Sequence, residues 1–214
     1  MTTIAVVLFP GTNCELDTVE ALMNLGAEAE VVWHSEADLD RFDAVVLPGG
    51  FAHGDYLRTG AIARFSPVMQ GVAGMAAAGR PVLGICNGFQ ILCEAGLLPG
   101  GFIANRDLSF LCTWVDLEVA DENSILTAGL TAGTQLRLPL NSFEGNYVAS
   151  SVQARVVLTY RNNPNGSDQA AAAIANDRGN VVGVMPHPER ASADWLGSAD
   201  GNLLLGSFLQ AAAA

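Results

Sequence analysis

The stretch Arg80-Pro81-Val82-Leu83-Gly84-Ile85-Cys86-Asn87-Gly88-Phe89-Gln90 joins an apolar run to an amphipathic run. The apolar run 82–85 predicts a short buried strand, and the run 89–98 predicts a helix. A cysteine on the sharp turn between them would stand above the sheet edge, near free helix N–H groups that lower the pKa of a thiol. Cys86 is therefore a candidate nucleophile, and the alternative is one more buried core cysteine.

Composition narrows the class of protein. The 214 residues, half of them hydrophobic, suffice for a large core, and we expect residues 1–214 to form a single domain. The net charge of -12 argues against nucleic acid and anionic membranes as partners, because both attract basic surfaces. The four cysteines include no C-x-x-C pair and no histidine cluster accompanies them, so no metal site is predicted. Without a signal-peptide pattern, we expect a cytoplasmic protein with reduced thiols.

The first half of the chain alternates predicted strands with predicted helices. This order predicts an α/β fold with an open, mostly parallel sheet and helices on both faces. Ligands bind at the carboxyl ends of strands in such sheets, where Gly49-Gly50 and Cys86 both fall. We expect Thr12 or Asn13 to cap the first helix. The predicted strands are 4–9, 29–33, 42–47 and 82–85, and the predicted helices are 16–25, 61–78 and 89–98.

The second half contains short strand-like runs separated by turns, which predict an antiparallel annex or edge strands rather than further βαβ units. A hairpin is predicted around residues 176–179, although its alanine-rich first arm is also compatible with a helix. Residues 200–213 predict a terminal helix. The strand-like runs are 110–119, 134–140, 147–151, 154–160, 169–175 and 181–185.

A second candidate cluster is Met185-Pro186-His187-Pro188-Glu189-Arg190, which follows an apolar strand. The prolines favour an extended backbone, which projects His187 and Glu189 to the same side. That geometry suits a histidine base oriented by a carboxylate, and the alternative is a solvated surface turn. Of the other histidines, His34 is best read as a hydrogen-bonded structural residue, whereas the role of His53 stays open.

These motifs together resemble the class I (triad) glutamine amidotransferases. Gly84-Ile85-Cys86-Asn87-Gly88-Phe89-Gln90 is similar to their nucleophile turn, Pro48-Gly49-Gly50-Phe51 to their oxyanion loop, and Pro186-His187-Pro188-Glu189 to their His/Glu pair. Within this class the chain resembles, over nearly its whole length, the glutaminase subunits of phosphoribosylformylglycinamidine synthase. The loop 54–63 is specific to those subunits. One departure is Ser142-Phe143-Glu144-Gly145, where they usually carry His-Gly-Glu-Gly.

The resemblance implies a flavodoxin-like, class I amidotransferase-like fold that hydrolyses L-glutamine to glutamate and ammonia through a cysteine thioester. It implies that a large synthetase subunit receives the ammonia and uses ATP and Mg²⁺, that a small accessory subunit completes the complex, and that this chain holds no cofactor. The implied site residues are the triad Cys86, His187 and Glu189, the oxyanion-hole residues Gly50, Phe51 and Asn87, and the substrate-binding residues Gly49, Gln90, Ser142 and Phe143.

Two other functions remain compatible with the sequence. A class I amidotransferase or a γ-glutamyl hydrolase serving another acceptor would share the same triad. A non-enzymatic protein with the same fold would retain the cysteine turn. Such proteins lack a His/Glu turn like the one that carries His187 and Glu189 in this chain. Residues 51–60 and 142–147 are our candidate docking surface for the synthetase subunit.

Overall fold

A computed structural model describes residues 1–152 and 154–214. Its helices are α1 (Glu15–Asn24), α2 (Val68–Ala78), α3 (Asn87–Glu94) and α4 (Gly201–Ala212). Its strands are β1 (Thr3–Leu8), β2 (Glu28–Trp33), β3 (Ala44–Leu47), β4 (Val82–Ile85), β5 (Gly101–Ile103), β6 (Leu111–Val119), β7 (Gln135–Ser142), β8 (Asn146–Val148), β9 (Arg155–Tyr160), β10 (Ala171–Ala175) and β11 (Val181–Val184).

Within the described residues, the main sheet has nine strands in the order β2-β1-β3-β4-β11-β10-β9-β6-β7. The first five of these strands are parallel, and the remaining four continue the sheet in antiparallel pairs. The predicted α/β class and the hairpin of β10 and β11 are confirmed. Of the two alternatives predicted for the second half, edge strands describe β6, β7 and β9, which extend the main sheet. Strand β8 instead pairs with β5 in a separate two-stranded sheet.

Helices cover both faces of the parallel part. The chain crosses from β1 to β2 through α1 and from β3 to β4, in the opposite direction along the sheet, through α2. Because both crossovers are expected to be right-handed, α1 and α2 lie on opposite faces. The strands β3, β4 and β11 between these layers are fully buried, as their continuous apolar sequences require. In the described part of the chain, every helix is too short or too polar to cross a lipid bilayer.

The predicted start of α2 and the predicted cap of α1 are wrong. Helix α2 begins at Val68 rather than residue 61, because Ser66 precedes Pro67 and takes the extended backbone that proline imposes on its neighbour. Helix α1 has Cys14 at its N-terminal cap position, without a side-chain cap. Thr12 Oγ1 instead accepts a hydrogen bond from the Phe9 N–H, which stabilises the turn before the helix.

We predict that Gly183→Ala destabilises the protein. A Cβ at residue 183 of β11 would overlap the ring of Phe89. Phe89 is buried and packed against the rings of Phe102 and Tyr147, so it cannot move away without disturbing them. Overpacking of this kind costs about 1–3 kcal/mol of the free energy of unfolding, which urea denaturation measures.

The matched control is Gly74→Ala in α2, where no atom lies within 4 Å of the added Cβ. This substitution should raise the free energy of unfolding by about 0.5–1 kcal/mol, because alanine is the better helix former. Equal stability of the two variants would contradict the close packing inferred at Gly183.

Candidate active site

Cys86 lies on the sharp turn that the sequence predicts. Its backbone has φ 50° and ψ −105°, a strained conformation for a residue with a Cβ. The next turn of the chain packs so tightly that a Cβ at Gly88 would overlap the carbonyl oxygen of Leu47. The Cys86 N–H donates to the Val184 carbonyl at 2.8 Å, which ties the turn to β11.

The Cys86 thiol opens onto a pocket of about 350 Å³. Sγ lies 3.5 Å from the carbonyl oxygen of Asn141, at the end of β7. The strand that extends the sheet therefore forms one wall opposite the nucleophile. The residues that line the pocket are Asn13, Cys14, Gly50, Phe51, Asp55, Thr59, Cys86, Gln90, Phe110, Asn141, Ser142, Phe143, Glu144, His187 and Arg190.

His187 and Glu189 form a buried pair. His187 Nδ1 and Glu189 Oε1 are 2.6 Å apart, and each residue is only 2% exposed. The His187 N–H donates to the Pro139 carbonyl at 2.8 Å, which fixes the backbone beside β7. Burial lowers the pKa of His187, but the charges of Glu189 and Cys86 outweigh burial and, with the neighbouring thiols, hold this pKa well above its ordinary value. The imidazolium form is thus favoured.

The N–H groups of Gly50 and Asn87 are not used in the pairing of the neighbouring backbone. Residues 11–13 pair with residues 49–51 in a short antiparallel bridge. In this bridge the Asn13 N–H donates to the Gly49 carbonyl, and the Phe51 N–H donates to the Gly11 carbonyl. The bridge leaves the Gly50 N–H outside the pairing. Asn87 is the first residue of α3, so its N–H has no partner within the helix.

Two predicted site residues need correction. The Phe51 N–H donates to Gly11 at 2.9 Å and is not free to receive an oxyanion. Gly49 is buried and does not line the pocket, so the prediction that it binds substrate is not supported. Gly49 instead makes room for the imidazole, since a Cβ there would stand 2.7 Å from His187 Cε1.

The three other predicted substrate-binding residues, Gln90, Ser142 and Phe143, do line the pocket. The Gln90 amide is held by protein groups, because its Nε2 donates to the Glu144 carbonyl at 2.7 Å and its Oε1 accepts from Asn87 at 3.0 Å. Ser142 is buried, and its Oγ has no partner in the described residues.

Sequence reasoning did not single out Cys14 and Arg190 as site residues. Arg190 Nη2 lies 3.2 Å from Cys14 Sγ, and its Nε donates to Asp17 at 3.0 Å. Ligand atoms of Cys14, His187 and Glu189 come within 4.8 Å of one another, but the neighbouring guanidinium opposes a bound cation. Cys14 follows the carboxyl end of β1, so the rule that placed Gly50 and Cys86 at this sheet edge also finds Cys14.

The remaining histidines and Cys93 lie outside this pocket. His34 Nδ1 is 3.1 Å from Ser66 Oγ, in agreement with the structural role predicted for it. The His53 ring packs edge-on against His34 at 5.5 Å, and burial, with His34, lowers the pKa of His53. Cys93 is buried, as expected of a packing residue, and burial raises the pKa of its thiol.

Comparison with known proteins identifies the family. The family model of the CobB/CobQ-like glutamine amidotransferase domain matches residues 1–157 and 143–202. The chain is 49% identical to the phosphoribosylformylglycinamidine synthase subunit PurQ of Thermomicrobium roseum, over 96% of this chain and 94% of that protein. It is also 49% identical to PurQ of Rubrobacter xylanophilus, over 98% of both chains. The chain belongs to the PurQ family of glutamine amidotransferases.

Solved structures agree with this family assignment. A chain in the structure of PurLQS from Thermotoga maritima superposes on this PurQ-family chain with a TM-score of 0.94, at 40% identity over 98% of both chains. A putative GMP synthase component from Thermoplasma acidophilum gives a TM-score of 0.74 at 17% identity, covering 100% of this chain and 94% of that one. The second likeness shows a shared fold.

We predict that Glu189→Gln lowers the pKa of His187. The substitution retains the shape of the side chain but removes the negative charge that stabilises the buried imidazolium. His187 should then titrate at lower pH, as followed by the NMR resonances of the three histidines, assigned by substituting each in turn. An unchanged titration of His187 would show that Glu189 does not set its charge.

Proposed function

We propose that this chain is the glutaminase subunit of a phosphoribosylformylglycinamidine synthase, in which it hydrolyses L-glutamine and passes ammonia to a synthetase subunit in purine biosynthesis. The observation that carries the proposal is the meeting of Cys86 with the buried pair of His187 and Glu189 at one sheet edge, in a chain half identical to PurQ proteins. This arrangement supplies a nucleophile, a base and an orienting carboxylate for acyl transfer.

The proposed reaction begins with attack of the Cys86 thiolate on the γ-amide carbon of glutamine. The carbon–sulfur bond forms, and the imidazolium of His187 then gives its proton to the amide nitrogen as the carbon–nitrogen bond breaks and ammonia leaves. Glu189 orients the imidazole and stabilises its charged form. Water, deprotonated by His187, then attacks the γ-glutamyl thioester and releases glutamate and the free thiol. The raised pKa of His187 supports its role as the acid of the first step.

The negative oxygen of each tetrahedral intermediate needs hydrogen-bond donors already in position. The N–H groups of Gly50 and Asn87 are our proposed donors, since neither is used in the pairing of the adjacent backbone. One such donor typically contributes about 3 kcal/mol to lowering the barrier. The pairing with Gly11 and Thr12 holds Gly50, and the packing of Gly88 holds Asn87, so neither donor has to reorganise.

The face around the pocket mouth suits a protein partner. Phe51, Tyr56, Leu57 and Phe143 are exposed apolar side chains on the two segments predicted as the docking surface. A group of exposed large apolar residues marks interaction sites on soluble proteins. We place the synthetase subunit on this face, so that ammonia released at Cys86 enters the partner rather than water; a small accessory subunit completes the complex, as the name PurLQS indicates for the relative.

We further propose that the chain itself needs no cofactor, that ATP and Mg²⁺ act on the synthetase subunit, and that the complex is cytoplasmic. The sequence has no Walker A pattern, which supports placing ATP elsewhere. The four cysteines Cys14, Cys86, Cys93 and Cys112 are free thiols, which suits a reducing compartment.

We predict that Cys86→Ala abolishes glutamine-dependent synthesis by the assembled complex and leaves ammonia-dependent synthesis intact. The substitution removes the nucleophile, whereas added ammonia bypasses this subunit. Amidine formation is measured with each nitrogen donor at saturating ATP. Cys112→Ala, which removes an exposed thiol that does not line the pocket, is the control and should retain both activities. Full glutamine-dependent activity of Cys86→Ala would refute the proposed function.

A further inference from the structure

Two carboxylates on the pocket wall have no role in the triad chemistry. Asp55 and Glu144 both line the pocket beside Gln90, and both side chains are partly buried. Burial and the charge of Glu144 raise the pKa of Asp55 to about 6. The two groups are therefore close enough to repel each other while sharing one concave surface.

No ion pair in the described residues neutralises either carboxylate. The basic side chains on the pocket wall are His187 and Arg190. His187 is paired with Glu189, and Arg190 contacts Asp17 and Cys14. Asn87 Nδ2 lies 3.4 Å from Asp55 Oδ1, and Thr59 Oγ1 donates to Glu144 Oε2 at 2.8 Å. Each of these contacts uses one oxygen, which leaves the other oxygen for a ligand.

Two polar atoms of the same pocket also point to a ligand. His187 Nε2 and Ser142 Oγ have no partner in the described residues, although His187 is 2% exposed and Ser142 is 5% exposed. Buried polar atoms are normally paired, so a polar molecule that fills the pocket would satisfy them. The acidic pair thus belongs to a pocket built around a polar occupant.

Both carboxylate-bearing residues are tied to the first turn of α3, which begins after Cys86. Asp55 contacts the side chain of Asn87, the residue after Cys86, and Gln90, one helical turn beyond Cys86, holds the backbone of Glu144. One turn of helix advances about 5.4 Å. Four covalent bonds separate the γ-amide carbon of glutamine from its α-nitrogen, a span of roughly 5 Å when extended.

We propose that Asp55 and Glu144 bind the α-ammonium group of glutamine and so restrict this glutaminase to the free amino acid. This inference rests on the proposed function and names the residues that decide its substrate specificity. The ammonium supplies the cation that the two carboxylates lack, while the γ-amide reaches Cys86. Glutamine within a peptide carries a neutral amide at this position and would leave both carboxylates buried and unneutralised.

The first test measures specificity in the complex assembled with the synthetase and accessory subunits. Asp55→Asn and Glu144→Gln should each lower kcat/KM for L-glutamine by about 10- to 100-fold, as expected for loss of a hydrogen bond to a charged group. For the analogue with an α-hydroxyl in place of the ammonium, kcat/KM should stay unchanged or rise. An equal loss for both substrates would show a merely structural role and overturn the proposal.

Matched controls remove one negative charge outside the pocket. Asp38→Asn, in the loop after β2, and Glu28→Gln, on β2, change exposed carboxylates that do not line the site. Both should retain wild-type preference for L-glutamine over the α-hydroxy analogue. If the controls lost as much preference for L-glutamine as the pocket variants do, the effect would come from net charge. That result would overturn the proposal.

The second test separates failure of this inference from failure of the proposed function. The full-length chain is treated with 6-diazo-5-oxo-L-norleucine, which carries an α-ammonium, and with iodoacetamide, which does not. Both reagents should label Cys86 of the wild type. In the two pocket variants, the rate of labelling by 6-diazo-5-oxo-L-norleucine should fall by about 10-fold or more, whereas the rate of labelling by iodoacetamide should not change. Equal labelling by the first reagent in wild type and variants would refute this inference alone. Failure to label wild-type Cys86 with it would refute the proposed function as well.

Discussion

The contact between the first turn of α3 and the end of β3 is the constraint on which the active site depends. Because Gly88 packs directly on the Leu47 carbonyl, the chain must turn sharply at Cys86 and adopt a left-handed backbone there. The same contact brings Asn87 Oδ1 within 3.0 Å of the Ala52 N–H, which holds the loop that carries Gly50. One close approach therefore positions the nucleophile and both proposed oxyanion donors.

Charge is arranged around the pocket in two groups with different consequences. At the reacting centre, the charges of Glu189 and Cys86 raise the pKa of the buried His187, and Arg190 beside Cys14 and Asp17 adds a cation behind this pair. On another part of the wall, Asp55 and Glu144 carry negative charge without a cationic partner in the described residues. A zwitterionic substrate suits this distribution better than a neutral or anionic one, since its ammonium meets the acidic part.

The antiparallel half of the sheet completes the site that the parallel half begins. Strand β7 ends in the segment that contains Asn141, Ser142, Phe143 and Glu144, which forms the wall opposite Cys86. Its Pro139 carbonyl also holds the backbone of His187. A flavodoxin-like sheet ending at β11 would have the nucleophile and the base, but it would lack the wall that encloses the substrate and part of the proposed docking surface.

Local sequence patterns were enough to establish the α/β class, the strand-to-helix turn at Cys86 and the extended segment with His187 and Glu189. These features follow from hydrophobic periodicity and from the backbone restrictions of proline and glycine. The folded chain was needed to show that the Phe51 N–H is occupied and that Gly49 leaves room for the imidazole. It was also needed to show that β6, β7 and β9 extend the main sheet and that Asp55 and Glu144 share one pocket wall. The physical reason is that free donors, strand partners and facing charges depend on pairing between segments far apart in the chain, which local patterns do not encode.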